Sequence, residues 1–547
     1  MSTRASLPPR KQPHSSTTTA TVAALLPIIE QLKKMITREL DVRIDESRLD
    51  ATVSLHEDGL ALDSMVLFEF MNLIEKRYGF EFADQDIRPE VFANLTVLAA
   101  HIHGQLMRAG TSLPPEVRPE DSAMSTGERP APDELTRRGF VTHYPPSRYW
   151  RPEGLRGLLE PRPLNVYVHS PYCIQRCAYC HYKTTTLAEH RKAEIDAYVS
   201  ALCREIALVS RRFHLKERPT ISVYFGGGTP TLLSREHLSR LMESLREHLT
   251  LEEPELTLEA EPVTLTPSKA EHLQALGVNR ISLGIQSFCD DILRRTGRHD
   301  TEQHAFKAIA LAKATGAIVN VDLMSGPAGE SDRTWAYTIE RALEANVHSL
   351  TVYKTELHAN TDYYADLKRH TLTLPTDDEE LRFITHALEQ FERHDYQPVN
   401  FFTFTRGGAF RQRHISSRWL GTDTYGFGVS AFGSLDAHVM QNTSDLPRYL
   451  QTLEAGELPL TRGYRLSARE LMTREAVLGM KLIHLDLAAF QQRHGFDLAR
   501  WCAPVVEELE KNGFVTLREH TLSLTRKGIL WGDYVGRRLA ARIESLA

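Results

Sequence analysis

Two periodicities divide the chain. From residue 160 onward, short apolar runs alternate with segments whose apolar positions recur at helical spacing. The runs predict strands over residues 165–169, 221–225, 256–260, 280–285, 319–323, 349–353 and 399–404. Between them the pattern predicts amphipathic helices, for example over 236–248 and 303–315. Strand and helix in alternation imply a parallel sheet, because parallel neighbours need a long crossover and a helix supplies it. Six or seven such units predict an α/β fold, a partial (β/α) barrel with its binding groups at the C-terminal ends of the strands.

The flanks follow other patterns. Residues 20–108 read as helical; within them Val66, Phe70, Leu73 and Ile74 fall on one side of an amphipathic helix, which predicts a small all-α bundle. Residues 109–136 are rich in Pro, Ser and Glu without periodicity and read as a linker. The barrel then occupies 137–455 and a C-terminal helical domain 456–547. In that last domain a helix over 503–512 precedes a hairpin of 514–518 with 521–525, a winged-helix-like arrangement. Residues 1–19, rich in Ser, Thr and Pro, read as a disordered tail.

Composition narrows the function classes. The net charge of −6 favours a structural cap over a DNA reader for the winged element and gives no nucleic-acid partner. The longest apolar stretch, 20–29, contains Pro27 and is far shorter than the roughly 18 residues of a membrane span. No secretory cleavage site follows it, so the expected setting is cytoplasmic. Between Glu39 and Glu90 there are fourteen Asp or Glu against five Lys or Arg, which marks the helical bundle as strongly acidic. Of six cysteines, Cys203, Cys289 and Cys502 are scattered through apolar patterns and read as buried small hydrophobes in a reducing compartment.

The other three carry chemistry. Cys173, Cys177 and Cys180 stand in Val168-His-Ser-Pro-Tyr-Cys-Ile-Gln-Arg-Cys-Ala-Tyr-Cys-His181, directly after the first strand. Three thiolates from one loop can hold three corners of a [4Fe–4S] cube, which leaves one iron open to a ligand. A zinc site with His181 or His169 as fourth ligand is the alternative, although no second C-x2-C knuckle is present. The second strand ends in Tyr224-Phe-Gly-Gly-Gly-Thr-Pro-Thr231, where consecutive glycines let backbone approach a ligand closely. The fourth reads Arg280-Ile-Ser-Leu-Gly-Ile-Gln-Ser-Phe288 and the fifth ends in Asn320-Val-Asp-Leu-Met-Ser-Gly326, so polar groups converge at strand ends. Gln286 or Asp322 taken singly could equally cap a helix.

In combination these motifs resemble the radical S-adenosylmethionine (SAM) family of oxygen-independent coproporphyrinogen III oxidases. Its relatives include heme chaperones, anaerobic heme-degrading enzymes and radical C-methyltransferases or cyclopropanases. The resemblance runs from about residue 139 to 540. It implies a [4Fe–4S] cluster on Cys173, Cys177 and Cys180, with SAM on the open iron and cleavage to methionine and a 5′-deoxyadenosyl radical. One or two SAM molecules are implied. Tyr167, Gly227, Glu259 and Phe432 match positions for the first, the last within Gly426-Phe-Gly-Val-Ser-Ala-Phe-Gly433. Tyr179, Gly228, Thr229, Gln286, Arg298, Asp322 and Glu356 match positions around the second. A sulfonium cation is favoured near a carboxylate such as Asp322, and Arg298 suits a carboxylate of SAM.

The chain departs from the oxidases and chaperones at chosen points. Where the oxidases carry a further cysteine after the third, this chain has His181-Tyr182-Lys183. The family's Gly-Leu-Pro-Gly is Gly326-Pro-Ala-Gly329, and Glu356 replaces a small residue. The chaperones' H-N-x-x-Y-W is reduced to its ends in His414-Ile-Ser-Ser-Arg-Trp419.

The amino-terminal bundle resembles an acyl or peptidyl carrier domain. Asp63-Ser64-Met65 matches the attachment site, with Gly59-Leu-Ala-Leu62 before it and Tyr78-Gly-Phe-Glu-Phe82 after it. Ser64 would then carry 4′-phosphopantetheine, whose phosphate suits a helix N-terminus. A plain cap is the structural alternative for that serine. Together the two resemblances imply a radical SAM enzyme that C-methylates or cyclopropanates an acyl group tethered to its own carrier. The implied partners are a phosphopantetheinyl transferase, an acyl-loading enzyme or polyketide or peptide synthase, and a flavodoxin- or ferredoxin-type electron donor. Coproporphyrinogen III decarboxylation and heme binding or trafficking are the other expectations.

Overall fold

The computed structural model describes residues 17–39, 49–55, 70–71, 73–75, 77–80, 82, 91–109, 162–182, 184–186, 192–358 and 361–546. The chain divides into two units, Met1–Ala131 and Pro132–Ala547.

In the first unit, helix Thr17–Lys34 runs on into a turn of π-helix, Met35–Glu39, and helix Leu95–Ala109 packs beside it. The helix therefore opens at Thr17, inside the segment whose composition suggests a tail. Ile28, Leu32, Ile36, Phe70, Ile74, Leu95, Leu98 and Ile102 form the core. Phe70 and Ile74 are fully buried, as helical spacing predicts, and Tyr78 donates to Gln31 Oε1 at 2.8 Å across the bundle. Asp63, Ser64 and Val66, like the linker, lie outside the described residues.

The second unit is built on a sheet of twelve strands among the described residues. In chain order its strands and those of two small sheets are β1 (Leu164–Ser170), β2 (Tyr172–Cys173), β3 (Thr185–Thr186), β4 (Pro219–Gly227), β5 (Thr250–Ala260), β6 (Arg280–Gln286), β7 (Ile318–Ser325) and β8 (Ser349–Lys354). There follow β9 (Tyr396–Pro398), β10 (Thr403–Arg406), β11 (Asp423–Phe427), β12 (Phe432–Leu435), β13 (His438–Asn442) and β14 (Leu460–Arg465). The C-terminal sheet adds β15 (His484–Asp486), β16 (Val515–Arg518) and β17 (Thr521–Leu524).

The large sheet has the order β14-β13-β12-β11-β1-β4-β5-β6-β7-β8-β10-β9. From β11 through β8 every pairing is parallel, so seven parallel strands share one C-terminal edge. Six of them match the expected strands. The seventh does not: residues 399–404 turn instead of extending. Pro398 ends β9, the Asn400 side chain accepts from the amides of Phe402 and Thr403, and β10 returns antiparallel to β8 and β9. The seventh parallel strand is β11, on the far side of β1. The sheet continues past residue 455 through β14, which pairs with β13.

Helices pack against the sheet and begin where the sequence demands. Ser234, Ser331 and Thr376 each close a capping box at the N-terminus of a crossover helix. The core lies between these helices and the sheet, with Trp335, Phe288, Phe383 and Phe391 among its largest fully buried side chains. Buried Arg218 donates to Asp423 Oδ2 at 2.7 Å and ties the N-terminal edge of β4 to that of β11. In the C-terminal part, β15, β17 and β16 form an antiparallel sheet behind helix Ala503–Lys511 with its own core around Phe490, Leu522 and Leu539. Cys502 is buried as expected, while Cys203 and Cys289 are only half-buried.

Gly528 reports on that last core: a Cβ there would stand 1.9 Å from the Phe514 carbonyl oxygen. Gly528→Ala should lose about 1–3 kcal/mol of stability in thermal or denaturant unfolding; an unchanged midpoint would contradict this packing.

Candidate active site

The parallel register of β1 and β4 places Ser170 beside Gly227, at the C-terminal edge of the sheet. Two amides then clip the following loops together. Gly228 N donates to Ser170 O at 2.6 Å and Thr229 N to Tyr172 O at 2.7 Å. The glycines are required by space. A Cβ on Gly228 would lie 2.5 Å from Tyr172 O and 2.9 Å from Cys173 Sγ, and Gly227 has φ +111° with the His169 ring 2.5 Å from its missing Cβ. The glycine run and the cysteine loop are therefore one structure.

Cys173, Cys177 and Cys180 are half-buried thiols within this loop, and no disulfide forms among the described residues. Cys180 N donates to Cys177 O at 3.0 Å, and the loop is held from outside by Ala178 N to Thr296 O and Tyr363 N to Ala178 O, each 3.0 Å. Burial pushes the Cys173 thiol up to about 12 and raises Cys180 as well. Such thiols keep their protons until a metal displaces them. The two histidines that could complete a zinc site have other neighbours, although His169 Nε2 is buried with no hydrogen-bond partner among the described residues. His169 Nδ1 meets Tyr167 OH at 3.0 Å, and the His181 ring stacks on Tyr182 and on His358, with centroids 4.3 and 4.0 Å apart.

The residues assigned to SAM fall into three groups. In the first, Tyr167 stacks on Tyr224 with centroids 6.0 Å apart, Tyr224 donates to Glu259 Oε1 at 2.6 Å, and Gly227 N donates to Glu259 Oε2 at 3.1 Å. Asp322 stands near enough to raise Glu259 and is itself held by Ser282 Oγ at 2.7 Å and Asn320 Nδ2 at 2.8 Å. Burial is the largest cause of both shifts, Glu259 rising to about 7 and Asp322 to about 6. In the second group, Thr229 Oγ1 reaches Glu261 Oε2 at 3.4 Å, Glu261 pairs with Arg298 at 3.3 Å, and Arg298 also pairs with Asp300. Arg298 Nη2 donates to Gly284 O at 2.8 Å and Nη1 to Cys177 Sγ at 3.8 Å. The phenol of Tyr179 also bears on Cys177. Gln286 sits nearby at φ +68°, a left-handed conformation that costs an L-residue about 1–2 kcal/mol and fixes its side chain over Gly284.

The third group, Glu356 and Phe432, makes further contacts, and Tyr182 feels both Glu356 and Glu259. Glu356 lies 3.8 Å from His358 Nε2 and feels Lys354 and Lys481 rather than Arg298. Phe432 packs its ring with Val439 and Leu466, while its carbonyl oxygen would be 2.3 Å from a Cβ on Gly426. His414 is buried, 2.9 Å from Ser222 Oγ with its ring tilted against Tyr224, so it belongs to the packed interior. Tyr224, Glu261 and Asp300 are site residues the motifs did not single out. The Glu259-Ala-Glu261 doublet at the end of β5 was the available signal.

A three-thiol loop beside a glycine cradle and buried carboxyls is the pattern of a radical SAM enzyme. The model of the radical SAM superfamily matches residues 167–342, and that of the HemN C-terminal domain matches 466–531. The chain belongs to the family of oxygen-independent coproporphyrinogen III oxidases and HemW heme chaperones. The heme chaperone HemW of Mycobacterium tuberculosis is 30% identical over 388 residues, 69% of this chain and 95% of its own. The oxygen-independent coproporphyrinogen III oxidase of Salmonella typhimurium is 29% identical over 386 residues, 68% of this chain and 83% of its own. The structure of coproporphyrinogen III oxidase HemN from Escherichia coli, described as a radical SAM enzyme, superposes with a TM-score of 0.61 at 27% identity, covering 71% of this chain and 91% of that one. A phosphopantetheine attachment site model matches residues 30–102. The chain is thus a radical SAM enzyme with a carrier domain, and its cofactors are a [4Fe–4S] cluster, SAM and phosphopantetheine.

The three thiols and the Gly228 cradle fit the cluster, which supplies an electron to SAM when bound. Glu259 and Asp322 favour a cation only when ionised, and both have pKa values raised by burial. They are charged above about pH 7 and progressively neutral as the pH falls through about 7 and about 6. The dissociation constant for SAM should therefore rise roughly threefold to tenfold between about pH 8 and about pH 6. Calorimetric titration across that range checks it; a flat profile would contradict the assignment.

Proposed function

We propose that the enzyme modifies an acyl group carried on its own N-terminal domain, by C-methylation or cyclopropanation, with a second SAM as the one-carbon donor. The observation that carries this reading is the union in one chain of a phosphopantetheine attachment domain and a radical SAM body. Ser64, in Asp63-Ser64-Met65, is the proposed attachment point. A linker of nearly thirty residues spans on the order of tens of Å, and tethering raises the effective substrate concentration to roughly millimolar.

Side chains near the cluster loop support a substrate other than a porphyrin. His181, with Tyr182 and His358 stacked against it, occupies the position of the oxidases' further cysteine. Tyr182 and Tyr353 keep 55% and 43% of their surface exposed, which suits an uncharged, unsaturated acyl chain. In this reading Tyr167, Gly227, Glu259 and Phe432 hold the first SAM. Tyr179, Gly228, Thr229, Gln286, Arg298, Asp322 and Glu356 surround the second. The phosphopantetheinyl transferase and acyl-loading partners follow from the carrier domain. A flavodoxin- or ferredoxin-type donor in the cytoplasm supplies the electron. No helix among the described residues is long and apolar enough to cross a membrane.

The second reading is oxidative decarboxylation of coproporphyrinogen III, favoured by the 29% identity to an oxidase across 83% of that protein. A heme-binding role has less support, since His414 is buried against Ser222.

The tethered reading predicts that 5′-deoxyadenosine forms only with pantetheinylated, acylated protein. Ser64→Ala should reduce it to background in an anaerobic assay with SAM and reductant. Undiminished turnover by Ser64→Ala, or consumption of coproporphyrinogen III by that variant, would favour the second reading.

A further inference from the structure

We propose that Arg298 sets the reduction potential of the cluster, by presenting its guanidinium to Cys177 as an N–H···S donor. Family resemblance assigns Arg298 only to SAM, but its geometry points at the cluster loop. Nη1 lies 3.8 Å from Cys177 Sγ, within the range of a hydrogen bond to sulfur. Nη2 is spent on Gly284 O, Glu261 and Asp300. Nε is buried with no hydrogen-bond partner among the described residues. A buried N–H without a partner costs free energy, and charge-bearing donors pay most for it. Nε–H lies on the guanidinium edge shared with Nη2, so Nη1 is the donor that faces the cysteine loop.

The site is built rather than accidental. Arg298 is 5% exposed, and Asp300 and Glu261 beside it are 3% and 9% exposed. Two carboxyls hold the planar fork in one orientation, so it cannot swing toward solvent. Thr229, next to the glycine cradle, fixes Glu261 in turn. Reduction adds one electron to the cluster and so one negative charge. Hydrogen bonds to sulfur and a nearby positive charge stabilise the reduced form, which raises the potential. Asp300 opposes this by offsetting part of the Arg298 charge. The electron comes from the external flavodoxin- or ferredoxin-class donor, and Arg298 itself is neither oxidised nor reduced. Its role is positioning and electrostatic.

The test is a redox titration of the full-length, anaerobically reconstituted protein without SAM, followed by electron paramagnetic resonance of the reduced cluster. In Arg298→Gln the ratio of reduced to oxidised cluster at a fixed potential should fall about tenfold, a shift of about 59 mV to more negative values for one electron. Arg298→Lys, which keeps the charge but not the fork, should shift less. Asp300→Asn should move the midpoint the other way. Because the signal is normalised to loaded cluster, reduced iron content in one variant leaves the others decisive. If Arg298→Gln and Asp300→Asn both load and both leave the midpoint where it was, Arg298 serves SAM alone and the proposal fails. The same holds if only Asp300→Asn loads and its midpoint does not rise. The outcome is independent of the substrate assigned above.

Discussion

The parallel pairing of β1 with β4 is the constraint on which the site depends. Its register sets Ser170 against Gly227, and the two amide bonds beyond the strands fasten the glycine run to the cysteine loop. Any side chain at Gly227 or Gly228 would push the loops apart, because the nearest atoms are a ring, a backbone carbonyl and a cysteine sulfur. A slip of one residue would send Tyr167 and His169 to the opposite face. The same edge then receives Glu259 and Glu261 from β5, Gln286 from β6 and Asp322 from β7. One register therefore assembles groups that lie more than a hundred residues apart in the chain.

Burial decides what these groups do. The barrel interior holds two poised carboxyls, Glu259 and Asp322, whose protonation burial favours and whose ionised form suits a cation. Beside them, the charge of Arg298 is balanced by Glu261 and Asp300 and directed at Cys177. The two sets keep different company: Glu259 and Asp322 lie with Tyr224, Ser282 and Asn320, whereas Arg298 lies against Cys177. His169 and His181, which flank the cysteine loop in sequence, are held low by burial, each down to about 4, and so are neutral.

Most of the fold was legible because buried parallel strands are short apolar runs and their crossovers are amphipathic. Six of seven expected strands formed. The failure at 399–404 came from Pro398 and Asn400, which convert a β-branched and aromatic run into a tight return. The true seventh strand, Asp423–Phe427, is polar at its start because Asp423 answers buried Arg218, a partner 205 residues away that no local pattern reveals. The site was legible through the cysteine spacing and glycine run. Tyr224, Glu261 and Asp300 were missed because their roles exist only once the strands are side by side. Ser64 was read from its motif alone, and its match rests on the carrier-domain model covering residues 30–102.

One chain unites a carrier domain with a radical SAM body. The proposal that the carrier delivers the substrate is tested most directly by intact-mass analysis of the acylated, pantetheinylated protein after anaerobic turnover with SAM bearing a deuterated methyl group. The account predicts that deuterium appears on the phosphopantetheine arm as one added carbon unit. An arm whose mass does not change while 5′-deoxyadenosine accumulates would contradict it.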